Sequence, residues 1–392
     1  MLRDHFLFAA LLLALASPGA IGQTQNEKLT NAATDAVRGG YESRTIASAF
    51  ADMNAPIAGV AAGEAVVFVG EPLNGSVIVL SRFTGKQIGE LPPPANGFSL
   101  PFIMHAIGQD RVAVLDAGGL PQPNPFVPVS PFIYEYTYSF SPDKTFSATL
   151  VRTISFAGVP YGFPEDFVRL GDGRYLISDS ILGSIWVVQS DGTITPGIVP
   201  KSFDSQDLIT TLAFCPTMPE ITVNGYPFLF SGSTLPGVSP LAVRNGTVYY
   251  YSPCARGLYS FPLSILSDDQ PPYERAADIK LVAPTPADDE VEELLDFSFN
   301  PFNDSDSALY AADPLQLQVI RIDLKTGARQ VIAHGPELFD FPSSLAFLPT
   351  HGPFTELLVV SNQQERTPLT NDAVTETTFN LPFIVAKVLV GP

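Results

Sequence analysis

The chain is poor in the residues that most hydrolytic and nucleic-acid-binding chemistry draws on. It holds four histidines, two cysteines and one tryptophan in 392 residues. Only His105, His334 and His351 lie beyond the N-terminal segment, too little material for a zinc site or a serine–histidine triad. No G-x-S-x-G, H-E-x-x-H, C-x-x-C or glycine-rich phosphate loop occurs anywhere. Basic side chains are scarce as well: 21 Lys and Arg against 40 Asp and Glu leave a net charge of −19. Phosphate backbones are bound by clustered cations that displace counterions, so this balance excludes a nucleic-acid partner. After the first 22 residues no stretch approaches the roughly 18 uninterrupted apolar residues of a membrane helix.

What is present points to strands. A hydrophobic content of 45% is enough for a large core, and 37 Pro with 30 Gly suit many short strands joined by turns better than long helices. Residues 1–22 read as a signal peptide. Arg3 supplies a positive start, Phe6 to Ala16 form a short apolar segment, and Ala20-Ile21-Gly22 offers small residues before a cut at Gln23. A buried N-terminal helix is the alternative. The expected mature protein is exported, soluble and without a membrane partner, with residues 23–42 as a flexible lead-in. In an oxidising compartment the two cysteines, Cys215 and Cys254, suggest a disulfide, two buried thiols being the other reading. Glycosylation sequons stand at Asn74, Asn245 and Asn303.

One pattern recurs along the chain. In GFPEDFVRLGDGRYLISDSILGSIWVV, from Gly162 to Val188, an apolar run ends in Asp179 and another starts six residues on at Ile185. The same frame fits Glu71, Asp116, Pro253, Asp313 and Asn362. A period of about 45 to 75 residues with three or four short strands per unit describes a β-propeller blade, and six copies predict an all-β, six-bladed propeller over residues 43–392. A β-sandwich or a pair of β domains is the competing architecture. Closure of the ring calls for strand exchange between the chain ends, with Ser43–Met53 completing the blade that contains Phe383–Val390.

In such a blade the innermost strand starts, and its neighbour ends, on the same rim. The repeated acid at Asp179 then serves the turn, accepting backbone N–H groups. The inner-strand starts instead differ between units: Ala58; Ile103 to His105; Glu165 and Asp166; Ser239; Asp296; Ser343 and Ser344. Gathered around one opening, they suit either a divalent cation such as Ca²⁺, which takes oxygen ligands from separate segments, or acid–base work by a carboxyl group raised by like-charged neighbours. Hydrogen-bonded strand caps and a core histidine are the plain alternatives. The insertions Gly118–Pro131 and Phe203–Ser239 are expected to lie over this rim, where Phe126, Tyr226, Phe228 and Phe230 offer an apolar wall for an organic ligand. The acidic run Ala287–Phe297 reads as a solvated connection.

The stretch PEDFVRLGDGRYLISDSILGSIWVVQSDG resembles a blade of the regucalcin and gluconolactonase family and, more distantly, of strictosidine synthase, with a fainter echo in FPSSLAF. The resemblance implies a six-bladed propeller with a divalent metal at the channel mouth. There the family commonly has Pro-Asn-Gly or Pro-Asp-Gly beside a glutamate from the first blade. Pro164-Glu165-Asp166 matches that motif and makes Glu165 the implied metal ligand; Pro342-Ser343-Ser344 matches with serine in place of the acid. No counterpart of the early glutamate stands near Pro56 to Gly59. Strictosidine-synthase-like relatives imply instead a carboxylate base in the channel. The expectation is an exported propeller that binds a small organic substrate, with Asp166, Asp296 and His105 as catalytic candidates and Glu165 on a divalent metal, possible chemistries being lactone or ester hydrolysis and a carboxylate-assisted cyclisation or isomerisation. A non-catalytic propeller that presents its rim to a ligand or protein is the alternative.

Overall fold

The computed structural model describes residues 47–390 except 120–129, 142–144, 160, 200–219, 230–236, 254, 268, 287–291, 304 and 350–354. The signal peptide and lead-in, both cysteines, and Phe126 and Phe230 therefore lie outside the described residues. So does most of the two expected rim insertions.

Six four-stranded antiparallel sheets form the blades. Blade I has the inner strand Ala58–Ala62 and blade II Pro101–Gly108; blade III has Pro164–Arg169 and blade IV Leu241–Arg244. Blades V and VI start with Asp296–Phe299 and Pro342–Leu348. Each inner strand touches those of the two adjacent blades, and that of blade VI touches blade I, which closes the ring. Among the described residues there is no α-helix, only short 3₁₀ turns, and no helix long and apolar enough to cross a membrane.

Closure uses the expected exchange. Ala47–Met53 is the outer strand of blade VI and pairs antiparallel with Phe383–Val390, from Ala47 opposite Val388 to Met53 opposite Phe383. An open ring would leave Phe383–Val390 as an unpaired, mostly buried edge.

Six large apolar clusters lie one in each seam between blades, and two smaller ones form around Phe228 and Phe341 and around Leu100 and Phe163. This explains strands that lack polar alternation. In blade I, Val66 and Phe68 pack toward blade II while Val67 and Val69 pack toward blade VI. In blade VI, Leu357 and Val359 face blade V while Leu358 and Val360 face blade I. Side chains alternate across a strand, so a sheet covered on both faces needs apolar residues at every position. Each such side chain contributes about 1.5–3 kcal/mol on burial.

The hairpin registers correct the repeat frame in two blades. Pro101 pairs with Asp116, Pro164 with Asp179 and Pro342 with Ser361. The residue that opens onto the third strand is Ser252 in blade IV, opposite Gly257, as Asp179 is opposite Ser184. The structural markers are thus Ser252 and Ser361, one residue before Pro253 and Asn362. Spacing alone misplaces them, because the polar-then-apolar frame tolerates a one-residue slip wherever the marker is not an acid.

Candidate functional site

The inner strands of blades I, II, III and VI begin with a β-bulge, seen as a register shift just after Ala58, Pro101, Pro164 and Pro342. Proline suits the first residue of a strand, where no ladder N–H is needed, and the extra residue re-aims the side chains that follow. In blade I the bulged residue is Gly59, with φ of +66°; a Cβ there would sit 2.4 Å from the Phe102 carbonyl oxygen. In blade III the bulge sends adjacent acids to different surroundings. Glu165 lines a cavity at the rim, while Asp166 enters the seam toward blade IV.

That cavity, about 110 Å³, is bordered by the starts of inner strands and the ends of second strands, which confirms that these share one rim. Blades I to V contribute Ala58, Phe102, Glu165, Ser239 and Leu295, and blade VI contributes Asn362. Glu293 joins them from the segment leading into blade V. This corrects the reading of the acidic run as a solvated connection for residues 292–297, where Glu292, Glu293 and Asp296 are all buried, while 287–291 lie outside the described residues. Glu292 is held by Arg329 at 3.0 Å and by the Tyr251 hydroxyl at 2.8 Å. Among the described residues Glu293 has no such cation.

The electrostatics of the mouth follow from burial. Burial pushes the Glu165 carboxyl up to about 7, the Ser180 hydroxyl pulling it down and the charge of Asp166 adding to the rise. Glu293 is raised well above the usual carboxylate range by burial, then by Glu165 and Asp313. Three buried oxygens around the same cavity, Ser239 Oγ, Glu293 Oε2 and Asn362 Oδ1, have no hydrogen-bond partner among the described residues. Buried polar atoms are normally satisfied, so three around one cavity mark a place built for something else to bind.

Asp166, Asp296 and His105 come together, but none of them borders the cavity. Asp166 Oδ1 faces His105 Nε2 at 3.1 Å, and its Oδ2 accepts the Leu241 N–H of blade IV at 2.8 Å. Asp296 Oδ2 accepts the Ser344 hydroxyl at 2.9 Å and the Leu345 N–H at 2.6 Å, both from blade VI. Ser344 Oγ in turn accepts the Val60 N–H of blade I at 3.1 Å. These three side chains stitch neighbouring inner strands together. Burial pulls His105 down, but the hydrogen bond and charge of Asp166, with the charge of Asp296, outweigh it and leave it raised. Burial and the charge of Asp166 push Asp296 up to about 7.

The repeated acids act as latches. Asp179 accepts the N–H groups of Gly162 (2.8 Å), Phe163 (3.1 Å) and Leu182 (3.0 Å). Asp116 does the same for Ser99 (2.7 Å), Leu100 (2.8 Å) and Gly118 (2.9 Å). Leu100 and Phe163 are walls of the cavity, so the latches fix its shape.

A roof segment between Asn362 and Phe383 was not foreseen from the sequence. Gln364, Thr367, Leu369, Thr370 and Phe379 border the cavity. The segment is anchored by Arg366, which bonds Glu365 at 3.0 Å, Asp340 at 2.7 Å and the Tyr226 hydroxyl at 2.6 Å. Tyr226 lies on a hairpin, Ile221–Val223 with Tyr226–Phe228, inserted before blade IV. The expected apolar wall is corrected accordingly. Phe228 packs on Phe341, and neither it nor Tyr226 borders the cavity, whose aromatic residues are Phe102, Phe163 and Phe379.

The sequons fall on turns: Asn74 ends a 3₁₀ turn, Asn245 sits in a hairpin with φ of 51°, and Asn303 Oδ1 accepts the Ser305 N–H. The missed residues carried a signal. Pro101-Phe102 aligns with Pro164-Glu165, and Glu293 precedes Asp296 by the same three residues that separate Phe163 from Asp166.

No protein-family model matches this sequence, and no curated protein is significantly similar to it. Among solved structures, the chain is similar to a luciferin-regenerating enzyme at 12% identity, over 88% of this chain and 95% of that one, with a TM-score of 0.50. It is similar to a candidate gluconolactonase at 11% identity, over 90% and 95%, with a TM-score of 0.50. It is also similar to the calcium-binding protein regucalcin of Agrobacterium tumefaciens at 14% identity, over 87% and 91%, with a TM-score of 0.48. At these identities the likeness establishes the fold, a six-bladed propeller.

Proposed function

We propose that this propeller hydrolyses a lactone or ester at its channel mouth, with a divalent cation held by Glu165, Glu293, Asn362 and Ser239. The observation that carries the proposal is the set of three buried oxygens without a partner among the described residues, one of them from Glu293, around a cavity that the Glu165 carboxyl also borders. Among the described residues no three His, Cys, Asp or Glu side chains gather as a metal site. The donor set is therefore two carboxylates with amide and hydroxyl oxygens, which suits a hard cation such as Ca²⁺ and not zinc. When bound, the cation would polarise the substrate carbonyl.

The chain's own groups supply the rest. One Glu165 oxygen would meet the cation, and the carboxylate, steadied by the Ser180 hydroxyl, would accept a proton from water on a remaining lone pair. The water oxygen forms a bond to the carbonyl carbon, the ester C–O bond breaks, and the proton passes from Glu165 to the departing alkoxide. Without the cation that carboxyl stands near 7; beside the cation it is drawn down, so the proton it takes is handed on readily to the far stronger alkoxide base. The fold shared with a candidate gluconolactonase supports this reading.

The same position of Glu165 near 7 supports a second reading, in which the two glutamates catalyse a cation-free cyclisation or isomerisation. Calorimetric titration with CaCl₂, MnCl₂ and MgCl₂ separates the two. The expected result is one cation per chain, lost in Glu165→Gln and in Glu293→Gln, together with cation-dependent lactone hydrolysis. Absence of cation binding overturns the first reading, and cation binding without turnover of any lactone or ester leaves a binding protein.

A further inference from the structure

The composition of the mouth cavity also constrains what it admits. Of its 18 described lining residues, 11 are Pro, Ala, Leu, Ile or Phe, and none is Lys, Arg or His. Phe102 and Phe163 meet edge to face, with ring centroids 5.7 Å apart, and Leu295 and Phe379 extend the apolar lining. The polar groups are few: Glu165, Ser239, Glu293 and Asn362, with Gln364 and two threonines from the roof.

A sugar lactone brings several hydroxyls, each of which needs a partner once water is removed. The oxygens already assigned to the cation cannot serve them all, and the remaining wall offers carbon. An anionic substrate would meet a cation whose charge the two glutamates already balance, and no described cationic side chain on the lining to receive it. An alkyl or aryl substituent gains from leaving water against this surface. The volume of about 110 Å³, against roughly 150 Å³ for a cavity that accommodates benzene, suits one small ring, so any alkyl chain on that ring must extend beyond the enclosed space.

We infer that the substrate class is a small, uncharged, apolar monocyclic lactone or its ester equivalent, selected by Phe102, Phe163 and Leu295, and not a sugar lactone or an anionic ester. This rests on the hydrolase reading for turnover but not for binding.

The test therefore reads both. Glucono-δ-lactone and δ-decalactone share a six-membered lactone ring and differ in hydroxyls against alkyl chain. Binding is followed by saturation-transfer NMR on the cation-free protein, and hydrolysis by pH-stat with CaCl₂ present. The expected result is binding of δ-decalactone alone, a kcat/KM about 100-fold above that for glucono-δ-lactone, and a loss of about tenfold in Phe102→Asn. Phe102 is only partly buried, and a thermal melt shows whether that variant is folded. Preference for glucono-δ-lactone overturns the substrate class and leaves hydrolysis standing. Binding of δ-decalactone without turnover supports the class and overturns the hydrolase. Binding of neither overturns the class.

Discussion

Glu165 and Glu293, one from the start of blade III and the other from the entry to blade V, border the same cavity, and each carboxyl is held above its ordinary range, Glu293 in part by the charge of Glu165. A half-buried and a buried acid that share one site frustrate each other. The frustration is what a bound cation would relieve.

Cation binding is thus expected to stabilise the fold measurably. Ca²⁺ at a hundredfold excess over its Kd should add about 3 kcal/mol, read as a rise in Tm after chelator treatment. The rise should vanish in the double variant Glu165→Gln, Glu293→Gln, whose Tm without the cation should equal or exceed that of the wild type.

Asp179 tests the latch. Its carboxylate satisfies three backbone N–H groups that are otherwise buried without partners. Asp179→Ala should cost about 3 kcal/mol or more in urea denaturation, and Asp179→Asn less, because one acceptor oxygen remains. Since Phe163 is among the groups held, substrate binding should weaken in parallel.

Stability should fall as pH rises through neutrality. Burial and Asp166 push Asp296 up to about 7, and burial with the hydrogen bond and charge of Asp340 pushes Glu365 up to about 8. A carboxyl whose folded pKa exceeds its unfolded value stabilises the fold fully below the unfolded value, and that contribution is lost as pH climbs through the folded one. A decline on the order of 5 kcal/mol from about pH 5 to about pH 8.5 follows in cation-free buffer. Asp296→Asn should flatten the profile, and a profile rising over that interval would contradict the assignment.

Arg366 tests the roof. Removing its guanidinium in Arg366→Met leaves half-buried Asp340, and the buried Glu365 hydrogen-bonded to it, without their cation, a change that costs about 3 kcal/mol. Hydrogen exchange should quicken in residues 362–379 and 221–228 ahead of the blades. For the enzyme, KM should rise more than kcat falls, because the roof shapes the cavity and holds no reacting atom.

The legibility of the fold is uneven for a physical reason. Val66 to Val69 announce a strand buried on both faces because each residue must be apolar whichever seam it meets. Asp116 and Asp179 announce turns because a carboxylate is the best acceptor for several amides at once. Ser252 and Ser361 announce nothing, and the frame slips there. Glu293 stands among other acids in a run that looks solvated, and nothing local reveals that the segment passes under the roof. Glu165 and Asp166 are neighbours that no linear pattern can tell apart, yet a bulge gives one the cavity and the other a seam.

By itself the sequence determined the repeated sheet unit, its number and the exchange of terminal strands, because backbone pairing and two-sided burial impose their demands residue by residue. The tertiary structure alone decided which acids meet across the opening, which are neutralised by arginine and which are left without a partner. Those outcomes depend on distances between blades, and no distance of that kind is written into local order along the chain.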